Sequence, residues 1–159
     1  MANWRANGMN EFKPFDDKLA GLLAAMSPAG RRRLTIDIAK KLRQRQQQRV
    51  KSQKAPDGTP YAPRKSQPLR AKKGRIKREM FAKLRTNRFM KASGNDNAAV
   101  VEFTGRVQRI ARVHQFGLKE KPERNAREVH YEKRVLLGLN NHDEKDIEDI
   151  IVDMFRDFE

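Results

Sequence analysis

The side chains able to do acid–base or metal chemistry are few, and they do not converge. His114, His130 and His142 stand 16 and 12 residues apart, with no cysteine in the chain and no HExxH pair. A metal centre needs ligands gathered from short, recognisable spacings, so no metal site is expected. No cofactor is expected either, because the glycines are isolated rather than collected in a phosphate-cradling loop. No serine has a GxSxG context. From Arg31 to Lys91 the acidic residues are Asp37, Asp57 and Glu79, too scattered to hold magnesium for a nuclease. The chain reads as a protein without catalysis, and His114, beside Gln115 at a helix end, reads as a capping or packing residue.

Positive charge is abundant by contrast. Arg64, Lys65, Arg70, Lys72, Lys73, Arg75, Lys77 and Arg78 could each approach a phosphate, giving salt-dependent but sequence-blind attraction. Arg106, Arg109 and Arg112 recur three apart and line up as a ridge on a helix. The net charge of +16 is uneven: Arg31 to Lys91 has 22 basic and 3 acidic residues, a net of +19. The last stretch, Asn140 to Glu159, has 2 basic and 8 acidic residues, a net of −6. Like charge repels itself, so such a block persists where something negative neutralises it. That partner is nucleic acid or the acidic surface of another subunit, and composition does not choose between them. A third reading is a solvated linker. No zinc-finger spacing or convincing helix-turn-helix argues for base reading.

These residues need a frame, and 159 residues suffice for one domain. Residues 1–14 lack periodicity and read as a flexible arm, with Trp4 and Phe12 packed back or anchored on a neighbour; 15–159 reads as a single domain. Leu19, Leu22, Leu23 and Met26 mark a short helix over 15–26, ended by Ser27-Pro28. A second helix over about 29–50 carries Leu34, Ile38, Ala39 and Leu42. Its polar tail, Arg43 to Arg49, has nothing obvious to bury and reads as a projecting or solvated end. Residues 51–75, with four prolines and the Asp57-Gly58 turn, read as a long flexible basic loop in which Tyr61 is one of the few large apolar residues.

A helix over 76–88 would put Met80, Phe81 and Leu84 on one side. A hairpin follows, with strands 89–92 and 99–103 about a Gly/Asn-rich turn. Thr104 can cap a helix over 105–115 that turns Val107, Ile110, Ala111 and His114 inward and stops at Gly117. Residues 119–127 read as a polar loop, and a strand is expected within 128–137. Asp143, with Asp146 three residues on, can cap a last helix whose apolar face is Ile147, Ile150, Ile151, Met154, Phe155 and Phe158. The fold class is α+β, with helices on a small, mostly antiparallel sheet. The longest apolar runs are only a few residues, so neither a spanning helix nor a secretory signal is expected, and synthesis in the cytoplasm is. The basic middle and the acidic C-terminal face could also meet across copies, and such head-to-tail contact closes into a ring where the rotation permits.

Several local strings together resemble the phage virion morphogenesis family, the tail completion proteins of temperate contractile-tailed phages. They are Phe15-Asp16-Asp17, the run Asp57-Gly58-Thr59-Pro60-Tyr61-Ala62-Pro63-Arg64-Lys65, Gly74-Arg75-Ile76-Lys77 and Met80-Phe81-Ala82-Lys83-Leu84-Arg85. Phe103-Thr104-Gly105-Arg106, Ile110-Ala111, Val113-His114-Gln115-Phe116-Gly117 and Leu136-Leu137-Gly138 continue the likeness over most of residues 15–140. The resemblance implies a structural virion protein related to tail completion, terminator and neck proteins, forming a ring, often hexameric, at the head-proximal tail end. Partners would be tail tube, terminator or neck proteins, with non-specific contact to passing DNA. His114, Gln115, Phe116 and Gly117 would then form a structural helix-end motif, joined by Asp57, Gly58 and Tyr61. Arg64, Lys65, Arg75 and Arg106 would contact a partner. The rival reading is a sequence-blind nucleic-acid-binding protein using the basic region 51–91.

Overall fold

The computed structural model of the chain describes residues 20–65 and 79–156. Residues 20–25 are helical, and Ser27 then caps the first long helix, its hydroxyl oxygen accepting the N–H of Gly30 at 3.1 Å. Pro28, with no N–H to lose, opens helix α1, Pro28–Lys51. A hairpin follows, β1 (Met90–Gly94) against β2 (Ala99–Phe103), antiparallel from Met90↔Phe103 to Gly94↔Ala99. Asn95 makes its turn by accepting the N–H groups of Asn97 and Ala98 at 2.8 Å each. Helix α2 (Val107–Phe116) and the short antiparallel pair β3 (Lys119–Glu120) and β4 (Val129–His130) come next, before helix α3, Asn141–Arg156. The result is an α+β fold with helices packed on small antiparallel sheets.

Helix α1 is the axis, because it feeds two apolar clusters. Its first half places Leu34 and Ile38 against Ile151 of α3, with Leu42, Ile147, Ile150, Met154 and Phe155 around them. Its last turn places Val50 against Tyr61, Met90, Phe103, Ala111 and Leu136. The hairpin lies across α1 so closely that a Cβ on Gly94 would sit 2.6 Å from the Ile36 nitrogen. Only glycine allows that approach. In β2 Phe103 is buried and Glu102 is exposed, as the alternating pattern requires.

Several expectations fail, each for a physical reason. No helix spans the described part of 76–88: residues 80–89 form successive turns, and Phe81 takes a φ of 64°. A bulky residue pays for that left-handed backbone only when packing demands it. Here the Phe81 ring meets Tyr61 edge-on at 5.7 Å and His114 at 4.8 Å. Thr104 does not cap α2; its N–H extends the hairpin to the Phe89 carbonyl, Gly105 turns the chain at φ 64°, and α2 starts at Val107 with no side-chain cap. Ile110 is exposed and Val113 is buried in its place. The strand within 128–137 shrinks to two residues, because Leu136 and Leu137 pair with a side chain instead of a strand.

At α3 the capping box sits one turn earlier than its acidic spacing implied. Asn140 caps, accepting the Asp143 N–H at 3.1 Å, and Asp143 returns the bond from the Asn140 N–H at 3.0 Å. Asp146 is thereby released to pair with Arg45. The polar end of α1 does not project: one side of it packs on the fold, while Gln44 and Gln48 on the other stay in solvent. Gln46 is buried and donates to the Gly138 carbonyl, while Arg49 donates to the same carbonyl at 2.8 Å and to Asp143 at 2.6 Å. Gln47 donates to the Arg85 carbonyl and to Asn87. That face is polar because it packs on backbone carbonyls and carboxylates, whose donors it must supply.

Candidate functional site

Two stretches far apart in sequence, 57–65 and 114–117, are tied to one segment, residues 130–138. The first begins as a compact turn. The Asp57 carboxylate accepts the Thr59 N–H at 2.9 Å, which holds that carboxyl below its usual range. Gly58 supplies a φ of 87°, and the Ala55 N–H closes onto the Thr59 carbonyl at 2.9 Å. The chain then delivers Tyr61 into the core, its hydroxyl donating to the Val135 carbonyl at 3.0 Å. Burial pushes the Tyr61 phenol up to about 12, partly opposed by Arg49. Arg134, itself buried, reaches back to donate to the carbonyls of Ala62 and Pro63 at 2.8 and 2.9 Å. Burial works against its charge and lowers its pKa, with the Glu132 charge opposing. Arg64 and Lys65 follow on the exposed side, and Lys65 donates to the His130 carbonyl at 3.0 Å.

The second stretch ends α2. Gly117 adopts φ 63°, and its N–H satisfies the Val113 carbonyl. A Cβ there would press on the Lys133 backbone at 3.0 Å. Gln115 holds the returning chain like a strand edge: its carbonyl oxygen accepts the N–H groups of Leu136 at 2.8 Å and Leu137 at 3.0 Å. Its amide donates to the Leu137 carbonyl at 2.9 Å. The His114 carbonyl accepts the Arg134 N–H at 2.7 Å, and the Gly117 carbonyl lies 3.1 Å from the His130 ring nitrogen. The His114 ring is stacked edge-on between Phe81 at 4.8 Å and Tyr131 at 5.2 Å. Burial, and then the Arg134 charge, lower its pKa, with Glu120 opposing.

Phe116 is 61% exposed and so takes no part in the bend. Arg106, Arg109 and Arg112 lie on the exposed side of α2, Arg109 paired with Glu120. Beside the start of α2 is an open groove of about 710 Å³, lined by Lys83, Arg88, Arg106, Thr86, Phe89 and Val107. Arg70, Lys72, Lys73, Arg75, Lys77 and Arg78 lie outside the described residues. The geometry therefore joins Asp57, Gly58 and Tyr61 with His114, Gln115 and Gly117 in one scaffold. The exposed cations form separate surfaces around it.

Sequence reasoning missed Arg134 and the α1 seam of Arg45, Gln46 and Arg49. For Arg134 no signal existed, because its partners are main-chain carbonyls. For the seam there was one: Arg45 and Arg49, one helical turn apart, match the acidic first turns of α3. Among the described residues no group of side chains could hold a metal ion, and no described helix is long and apolar enough to cross a membrane.

The chain matches the model of the phage virion morphogenesis family over residues 10–156. It is 52% identical over 145 residues to the tail completion protein S of Escherichia phage P2, a match covering 91% of this chain and 97% of that protein. No solved structure matches it.

Proposed function

We propose, from the premise that this chain belongs to the phage virion morphogenesis family, that it completes the phage tail as a ring subunit docked at the head-proximal end. Its role is structural, in tail completion, and it is not an enzyme. The ring, the docking and the position at the tail end are the proposed part. One observation carries them: the 57–65 turn and the α2 end are tied to a single segment, so that Arg64 and Lys65 leave a stiff frame rather than a loose chain. A stiff base under a basic segment suits docking on an acidic tail or neck protein, since less order is lost on binding. The same segment would face DNA if the ring lines its passage.

The test is mass by light scattering behind size exclusion, at low salt and at 0.5 M salt, with residues 66–75 deleted in a parallel sample. The expected result is one closed multimer in both salts, with or without the deletion, and failure of the deleted protein to restore infectivity to phage lacking the intact chain. A monomer in every condition refutes a preformed ring. Assembly only with DNA, weakening steeply as salt rises, replaces this reading with a sequence-blind nucleic-acid binder.

A further inference from the structure

Helix α3 carries more acid than the fold uses. Asp143 and Asp146 face α1 and are taken by Arg49 and Arg45. Glu144 and Glu148 are exposed one turn apart, followed one turn on by Val152, which is 47% exposed. Residues four apart lie on one line of a helix, so the row reads acid, acid, apolar toward the C-terminus. Lys145 and Arg156 share the outer face, with Asp149 and Asp153 on its far flank, and Arg156 is held by Asp153 at 3.5 Å. Helix α2 carries a row of the same spacing, amide, cation, aromatic: Gln108, Arg112 and Phe116. Arg112 is exposed, and one turn on comes Phe116, an aromatic ring 61% exposed with nothing covering it among the described residues. At the N-terminal end of the same helix the open groove adds Lys83, Arg88 and Arg106.

Resting on the ring reading above, we infer that the exposed face of α2 docks on the α3 face of a second copy of this chain, with the helices parallel. In that register Arg112 meets Glu148 of the second copy and Phe116 meets its Val152, both steps being four residues or about 6 Å of helix rise. One turn earlier, Glu144 of the second copy meets the exposed Gln108, whose amide can donate to it. The contact joins two different surfaces, so each subunit offers one face and receives on the other, which is the geometry that closes rings. The chain already pairs a basic helix with the acidic helix internally, at Arg45–Asp146 and Arg49–Asp143. The second copy repeats that match on the opposite side of α3. An exposed phenylalanine beside an arginine also has the residue types enriched at interfaces.

The proposal is tested with Arg112→Glu, Glu148→Arg and the two together, followed by light scattering across a concentration series. Each single change is expected to raise the concentration for half-assembly about tenfold or more, and the pair to restore most of the loss. Because the protein has no cysteine, Phe116→Cys with Val152→Cys in one chain should give an oxidised ladder that stops at the ring size. A mixture of the two single-cysteine proteins should give cross-linked dimers and no more. If the wild type assembles but the charge changes leave its mass unaltered, the pair restores nothing, or no ladder forms, the inference is wrong and the ring stands on other faces. If the wild type never assembles, the ring reading falls, and this inference falls with it.

Discussion

Replacing Gln115 by leucine isolates the bonds by which α2 holds the returning chain. The change keeps the volume nearly constant and removes one acceptor shared by two N–H groups and one donor to a carbonyl. Leu136 is only 1% exposed, so water cannot replace the partner of its N–H. An orphaned buried donor costs about 2 kcal/mol, and the two Leu137 groups, half-buried, add about 0.5 kcal/mol each. The expected loss is therefore about 3 kcal/mol, a large part of the roughly 5–15 kcal/mol that holds a domain together. Urea denaturation reads it as a lower midpoint with an unchanged slope. Gln108→Leu makes the same chemical change at an exposed position on α2 and should stay within about 0.5 kcal/mol of wild type. If Gln115→Leu proves as mild as Gln108→Leu, the three bonds do not hold the helix end and the scaffold argument fails.

Gly94→Ala should cost about 2 kcal/mol or more, because the new methyl meets the α1 backbone. Gly21→Ala, in open space on a helix, should gain about 0.5–1 kcal/mol in the same melt. Asp143→Ala should cost about 3 kcal/mol, since it strands Arg49, whose side chain is 14% exposed. Asp146→Ala should cost about 0.5–1 kcal/mol, because Arg45 is 43% exposed and water takes over; equal losses would contradict the burial difference. The lowered pKa of His114 gives a pH dependence of definite sign. The unfolded histidine takes up its proton near 6.5 while the folded one resists, so stability is full above about 6.5 and falls as the pH drops toward the folded value. His114→Gln should flatten that slope in denaturation series between pH 7 and 5, and an unchanged slope would assign it to other groups.

The relation of sequence to structure is clearest where one element meets solvent on one side only. Helix α3 shows its apolar period plainly, and its face packs on Leu34 and Ile38 of α1. The alternation of Ala99, Val101 and Phe103 marks β2 in the same way. The 80–89 stretch deceived by the same logic. Met80, Phe81 and Leu84 are spaced as on a helix, yet all three pack on the second cluster from a chain of turns. Periodicity reports which residues are buried and not the backbone route that buries them. The end of α1 deceived in the other direction, since a polar face there is a packed face, satisfied by groups from Gly138 and α3.

By itself the sequence determined the class of the fold, the absence of catalytic spacing, the charge asymmetry and, through its local strings, the family. All of these rest on residue types and short spacings, which survive without coordinates. Only the tertiary structure decided that the turn at Asp57-Gly58 and the helix end at Gln115 brace one segment, and that Arg134 and Tyr61 are its inner ties. Those bonds end mostly on main-chain carbonyls and amides, which every residue carries alike. A sequence names its side chains but is silent about which backbone groups will face them.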